Sequence, residues 1–318
     1  MSTPNDDSRA PALLRARSLV LTERILGLCD RDPARPAYGC CDRNYWCYKL
    51  HDLANARFQE AALFFAAAAP RLAPEAAPAV LSLAGAAVRF WAARRHGDGS
   101  VDEVYPFERS FCATSMSAQA AAGAWLRLSA PPDVDFAVTG DWLAANDNPE
   151  VANQMAGAAL ALARIARITG KARYADAARD KVRSLVARQL PGGCYAEYGG
   201  PDAGYATITL ALLAGYLDLV DDAAALASMR ACAAFLESVT DADGLYDWRA
   251  MSRRTQFLYP SGLAYLESPV LGRLAAGLRR NVVINPLWMD DRYCIPLAAD
   301  YLLAAERLDV RAGSGGGE

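Results

Sequence analysis

The sequence predicts an all-α protein, an (α/α)6 toroid that is complete or one helix short, and three observations carry that prediction. Ala, Leu and Arg dominate, and apolar residues recur at three- and four-residue steps, the spacing of amphipathic helices. No stretch of Val, Ile and Thr alternates with polar residues long enough to make a strand ladder. Three times, a small-residue turn leads through an aromatic–carboxylate cluster into another Ala-rich helix: Asp98-Gly99-Ser100-Val101-Asp102-Glu103-Val104-Tyr105, Gly192-Gly193-Cys194-Tyr195-Ala196-Glu197-Tyr198-Gly199 and Asp243-Gly244-Leu245-Tyr246-Asp247-Trp248. Loops around Asp42-Arg43-Asn44-Tyr45-Trp46 and Trp288-Met289-Asp290-Asp291-Arg292-Tyr293 share this polar–aromatic character. Repetition at roughly 30–60 residues is what stacked helical hairpins produce, and it sets equivalent loops on one face, where a site would lie.

Along the chain, apolar periodicity places helices roughly at 11–29, 52–69, 75–95, 110–128, 134–145, 150–168, 171–189, 204–219, 221–238, 261–279 and 291–307. Arg94-Arg95 marks the end of the helix at 75–95, where cations suit the dipole; His96 beside them reads as a further dipole partner. Pro149 and Pro201 stand near helix starts, and Gly170, Gly192 and Gly244 where helices stop. The helix at 171–189 carries Lys, Arg and Asp along one side, as an outer helix does, whereas 110–128, 150–168 and 204–219 are rich in Ala, Gly, Ser and Thr, as helices crowded on both sides are. Six segments follow a polar–aromatic loop, starting near His51, Arg109, Glu150, Ala203, Pro260 and Asp290, and these are the expected inner helices. An irregular bundle or an open solenoid is the competing arrangement. Residues 1–312 are expected to form a single helical toroid domain, and 313–318 a disordered tail.

A chain of 318 residues can bury a substantial core, and its 53% apolar and 22% charged residues are an ordinary soluble balance. The net charge of −3 leaves no basic footprint, so nucleic acid is not an expected partner. Met1 to Val20 holds Asp6, Asp7, Arg9, Arg15 and Arg17 without a continuous apolar core, unlike a secretory signal. No run reaches the ~18 apolar residues of a membrane span, so no membrane partner and a cytoplasmic location are expected. The eight cysteines are too few for a disulfide scaffold, and most, such as Cys232, read as small core hydrophobes. Cys47 and His51, with Cys40 and Cys41 upstream, would share a helix face, but their spacing matches no paired-ligand zinc pattern. Neither a metal nor a cofactor is expected.

The block Gly39-Cys40-Cys41-Asp42-Arg43-Asn44-Tyr45-Trp46-Cys47-Tyr48-Lys49-Leu50-His51-Asp52 resembles the opening of an uncharacterised bacterial group related to heparinase II/III-like toroidal proteins. Asp98-Gly99-Ser100 through Tyr105-Pro106-Phe107-Glu108-Arg109-Ser110-Phe111, Glu197-Tyr198-Gly199-Gly200-Pro201-Asp202-Ala203-Gly204-Tyr205 and Asp290-Asp291-Arg292-Tyr293 resemble further blocks of that group, so the similarity runs over most of the chain. The resemblance implies the toroid. Toroids host lyases, hydrolases, epimerases and terpene cyclases, so the reaction has to be argued from residues. The additional β-domain of long polysaccharide lyases of this type is not expected here, which weighs against cleavage of a polymer.

Uronate β-elimination needs a cation or amide to neutralise the carboxylate, a base for the C5 proton and an acid for the leaving oxygen. Arg253, Arg254, Asn153 and Gln154 suit the first role, and Tyr198, Tyr205, Tyr259 and His51 the others. Protonation from the opposite face would give C5 epimerisation. An inverting glycosidase instead needs two carboxyl groups ~6.5–9.5 Å apart, and Asp102, Glu103, Glu108, Glu197, Asp202, Asp247, Asp290 and Asp291 are the candidates. Glu197, between two tyrosines in a Gly-flanked loop, is the preferred functional carboxylate. Asp42, Arg43, Trp46, Lys49, Tyr105, Arg109 and Arg292, with Glu103, Glu108, Asp202, Asp247 and Asp291, complete the expected substrate-binding set, since aromatic faces stack on sugar rings while charges fix hydroxyls and carboxylates. The structural alternatives are tyrosine hydroxyls that cap helices, an ion pair from Arg253-Arg254 to Asp247 or Glu267, and dipole-favouring Asp290-Asp291 at a helix start. A terpene-type cyclase would need a protonating Asp cluster, and Asp133-Val134-Asp135 lacks a following Asp pair. The expected function is therefore a carbohydrate-active enzyme on an acidic sugar or uronate-containing oligosaccharide, acting by elimination or C5 proton transfer. An inverting glycoside hydrolase, a non-catalytic glycan- or protein-binding toroid and a cyclase stand as alternatives.

Overall fold

Helices that stand close to neighbours on both sides need small side chains, and the Ala-, Gly- and Ser-rich segments are the ones placed innermost. The computed structural model describes residues 10–314. In chain order the helices are α1 (Ala10–Leu19), α2 (Thr22–Leu28), α3 (Arg43–Trp46), α4 (Ala61–Ala68), α5 (Ala77–Ala93), α6 (Phe111–Trp125), α7 (Ala137–Ala145), α8 (Ala152–Thr169), α9 (Ala172–Ala187), α10 (Ala203–Leu217), α11 (Ala223–Val239), α12 (Pro260–Leu266), α13 (Pro269–Arg280) and α14 (Asp291–Ser314). Helices α4, α6, α8, α10, α12 and α14 each pack on the next, and α14 packs back on α4, so the inner ring is closed. Helices α1, α5, α7, α9, α11 and α13 back them from outside. No helix among the described residues is long and apolar enough to cross a membrane.

Closure means that none of the twelve helices is missing, a correction to the count of eleven. The missing helix lay inside the stretch 261–279: Glu267 adopts a left-handed φ of 55°, Ser268 accepts a hydrogen bond from the Val270 amide, and Pro269 opens α13. Apolar periodicity runs through this break, whereas Ser followed by Pro is itself a start signal. The stretch 11–29 likewise divides at Val20 and Leu21. Gly170 ends α8 in the left-handed conformation and Arg94 caps α5, both as expected. Of the expected tail, Gly313 and Ser314 lie within α14, and 315–318 lie outside the described residues.

The main core lies between the two layers. Outer helix α9 buries Tyr174, Ala178, Lys181, Val182 and Leu185, and Trp91, Phe64, Phe65, Phe136 and Tyr216 are fully buried. The recurring small-residue turns have a steric cause. Gly99 has φ +90°, and a Cβ there would stand 2.5 Å from the Val138 backbone of α7; at Gly193, with φ +86°, it would stand 2.5 Å from the Ala231 carbonyl oxygen of α11. Each turn seats against the outer helix that follows it, so the loops repeat with the hairpin period and gather at the rim where the inner helices begin. On that rim a two-stranded antiparallel ribbon, β1 (Ala196–Glu197) and β2 (Gly200–Pro201), precedes α10.

Candidate active site at the mouth of the axial cavity

The bore of the ring is a cavity of about 820 Å³. Its polar mouth lies at the rim of loops and inner-helix starts, and its waist is lined by Leu63, Met116, Leu160, Ile208 and Leu212. At the mouth, Arg253 stands against two phenols, its guanidinium carbon 4.6 Å from the Tyr198 ring centroid and 4.7 Å from that of Tyr205. Its Nη2 lies 3.4 Å from the Tyr205 hydroxyl. Asp202 explains the placement. It is fully buried, caps α10 by accepting from the Tyr205 amide at 3.0 Å, and accepts from the Arg253 amide at 3.0 Å and from the Thr255 hydroxyl. One carboxylate thus pins the 253–255 loop to the start of α10 and sets Arg253 over Tyr205.

Burial and the neighbouring Tyr293 hold the Tyr205 phenol well above its ordinary pKa, and burial does the same for Tyr259. Burial works to lower the Arg253 pKa, but Tyr205, Tyr198 and Glu197 raise it above its ordinary value. Among the described residues no carboxylate lies within ion-pairing distance of Arg253. The carboxylates of the mouth are otherwise engaged. Glu60 pairs with Arg57 and Glu103 with Arg292. Glu108 accepts from the backbone amides of Glu103 and Val104 at 3.0 and 2.8 Å.

Of the residues expected from sequence, the cavity wall takes in Tyr198, Tyr205, Tyr259, Glu103, Glu108, Asn153, Gln154, Arg253 and Arg292. Glu197 stands behind the wall instead of in it. It is 0% exposed, and its Oε1 accepts from the Asn153 backbone amide at 3.0 Å and from Asn153 Nδ2 at 2.6 Å. Its Oε2 has no partner, and burial pushes its pKa up to about 7. Its carboxyl thus anchors Asn153, whose side chain lines the cavity.

The remaining expected residues stand outside the cavity wall. Asp42 is buried and accepts from the Asn44 and Asn55 amides at 3.1 and 2.9 Å. Arg43 donates to the Gly27 carbonyl, and Trp46 Nε1 to that of Leu28. Lys49 lies over the Tyr45 ring, and Tyr105 is exposed. Arg109 pairs with Asp98, Asp291 with Arg24, and Asp247 accepts from the Arg249 amide. Asp102 accepts from the Phe107 and Arg109 amides and from His96, which is thereby drawn to a carboxylate and not to a helix end. Arg254 is exposed with a left-handed φ of 53°, and Glu267 pairs with Arg311 rather than with the Arg253-Arg254 dipeptide. His51 is exposed and outside the wall; α3 ends before Cys47, so Cys47 and His51 share no helix face. No cluster of three or more metal-ligating side chains occurs among the described residues.

The cavity also recruits residues with little or no signal in the sequence. Arg57, Glu60 and Tyr293 join the mouth, and Asp300 lies deeper. Asp300 is an acid within the apolar face of α14, the one mark that could have drawn notice. It accepts from the Ser261 amide at 2.9 Å and from the Ser261 hydroxyl, and burial pushes its pKa up to about 6.

No protein-family model and no curated protein matches the chain. Solved structures do. A polysaccharide lyase is 13% identical over 94% of this chain and 98% of that chain, with a TM-score of 0.58. An unsaturated glucuronyl hydrolase specific for heparin is 11% identical over 96% and 98%, also at 0.58. The ent-copalyl diphosphate synthase from Streptomyces platensis is 17% identical over 78% of this chain and 50% of that chain, at 0.50. At such identities the likeness speaks for the fold, and with the closed ring it makes this chain an all-α toroid.

Proposed function

We propose that the chain is a carbohydrate-active enzyme that receives an acidic sugar or a uronate-containing oligosaccharide in the axial cavity and acts by β-elimination or C5 proton transfer. The observation that carries the reading is Arg253, a mouth guanidinium held between two phenols with no carboxylate partner among the described residues. Such a cation is available to neutralise a uronate carboxylate, which acidifies the C5 proton by stabilising the charge that develops next to it. Asn153 and Gln154 offer amides on the same wall. Tyr205, kept neutral by its burial, is suited to give its proton to the leaving oxygen. Tyr198, against the same guanidinium and 61% exposed, is the group placed to take the C5 proton. The C5–H and C4–O bonds break, a C4–C5 double bond forms, and the protons end on Tyr198 and on the departing oxygen. Return of a proton to the opposite face of C5 would give the epimer instead. Hydrolysis ranks second because Glu60, Glu103 and Glu108 are committed to guanidinium groups or backbone amides.

The resemblance of four sequence blocks to the heparinase II/III-related group supports the substrate class, as do the names of two fold neighbours, a polysaccharide lyase and a glucuronyl hydrolase. In this reading residues 1–312 act as one cytoplasmic unit without a cofactor. The test is incubation with a panel of uronate oligosaccharides in deuterated water. New ultraviolet absorbance of an unsaturated uronate is the expected result for elimination, and deuterium at C5 for epimerisation. Reducing ends alone would assign hydrolysis, and no change with any substrate would favour a binding toroid.

A further inference from the structure

The cavity has a second polar end. Arg164 lies eleven residues beyond Asn153 on α8, and Arg307 fifteen beyond Arg292 on α14, which puts this end roughly 16–22 Å along the bore from the mouth. Four arginines line it, of which Arg311 pairs with Glu267 and donates to the Ala264 and Tyr265 carbonyls. Arg127 pairs with Glu306, and Arg307 pairs with Asp218. Arg164 has no carboxylate partner among the described residues; its Nη1 donates to the Gln119 carbonyl at 2.6 Å and to Gln119 Oε1 at 2.8 Å. The ring makes room for it. A Cβ at Gly123 of α6 would stand 2.5 Å from Arg164 Nη1 and 2.8 Å from its Cζ. Arg71 also reaches Glu306, at 3.1 Å. Glu306 and Asp218 therefore serve three guanidinium groups while Arg164 has no carboxylate, and Arg307 Nε is buried without a partner. Burial, with Arg127 and Arg307 nearby, lowers the Arg164 pKa to about 9, as an under-neutralised cluster would.

We infer that this end is an oxyanion subsite, in which Arg164, flanked by Arg127 and Arg307, takes a sulfate, phosphate or carboxylate group. A cation kept out of bulk water with free donors is matched by an oxyanion that accepts several charge-assisted hydrogen bonds. The group is either a free inorganic oxyanion or an acidic substituent of a sugar chain that enters at the mouth and reaches through the bore. Only the second source rests on the proposed function.

Calorimetric titration with sodium sulfate, at ionic strength held constant with chloride, tests the subsite without turnover. It is done in the R253Q background, which silences the cation at the mouth. Saturable one-site binding is expected, weakened at least about tenfold on adding R164M or R164Q. R164M replaces an under-neutralised cation with an apolar chain of similar length, so it is expected to fold, as circular dichroism will show; R164Q is the polar control. Absence of saturable sulfate binding, or binding that survives both Arg164 substitutions, overturns the subsite whatever the enzyme's activity. A uronate tetrasaccharide whose affinity falls with R164M while that of a disaccharide does not identifies the sugar chain as source. Loss of sulfate affinity alone identifies the free ion.

Discussion

Glu197 provides the sharpest physical test of the mouth. Its carboxyl is fully buried, one oxygen bound twice by Asn153 and the other unpartnered, and burial lifts its pKa from 4.5 to about 7. That rise is worth roughly 3 kcal/mol at about 1.4 kcal/mol per unit. A carboxyl whose folded-state pKa is raised favours folding below its unfolded value, and that contribution is lost as pH climbs through the folded value. Wild-type stability should therefore fall between about pH 5 and pH 8 relative to E197Q. The glutamine keeps an oxygen for Asn153 and cannot ionise. In urea unfolding, the two proteins should be within about 1 kcal/mol of each other at pH 5, and E197Q should be more stable by roughly 3 kcal/mol above pH 8. A difference between them that does not change with pH would refute the assignment of a buried, titrating Glu197.

Other expectations follow from the same geometry. With whichever uronate substrate responds, R253Q should lower kcat/KM by about 10²–10³, with R253K recovering part of the loss and circular dichroism unchanged. G99A should destabilise by more than about 2 kcal/mol, because it combines a left-handed φ with a clash against the Val138 backbone. G170A has a left-handed φ but nothing within 4 Å of a new Cβ, so its loss should stay near 1 kcal/mol; denaturant midpoints compare the two. S268A removes the hydroxyl that caps α13 and should lower the unfolding free energy by about 1 kcal/mol, measured the same way.

The fold was largely legible because its determinants are local. Ala-rich periodicity marked the inner helices, and the turns with Gly99 and Gly193 marked where they begin. The break at Glu267–Ser268 escaped because a capping residue and a proline interrupt a helix without disturbing apolar spacing. The mouth was legible in part. Tyr198, Tyr205, Asn153, Arg253 and Arg292 lie in loops or first turns that the hairpin repeat sends to one rim. Asp42, Asp102 and Asp202 look equally functional in one dimension, yet each is used up by backbone amides of its own or a neighbouring loop. Spacing along the chain does not report which donors fold back onto a carboxylate.

By itself, then, the sequence determined the helical class, the alternation of inner and outer helices and the rim on which polar and aromatic loops gather. All three depend on residue type and on periods of a few residues or one hairpin. Tertiary structure alone decided that α14 closes on α4, that Glu197 lies behind the wall while Arg253 stands in it, and that Arg164 meets Arg127 and Arg307 across the bore. Those outcomes depend on side chains brought together from helices more than a hundred residues apart in some cases, and which of them ends up facing water, a partner or the cavity is settled only when the ring closes.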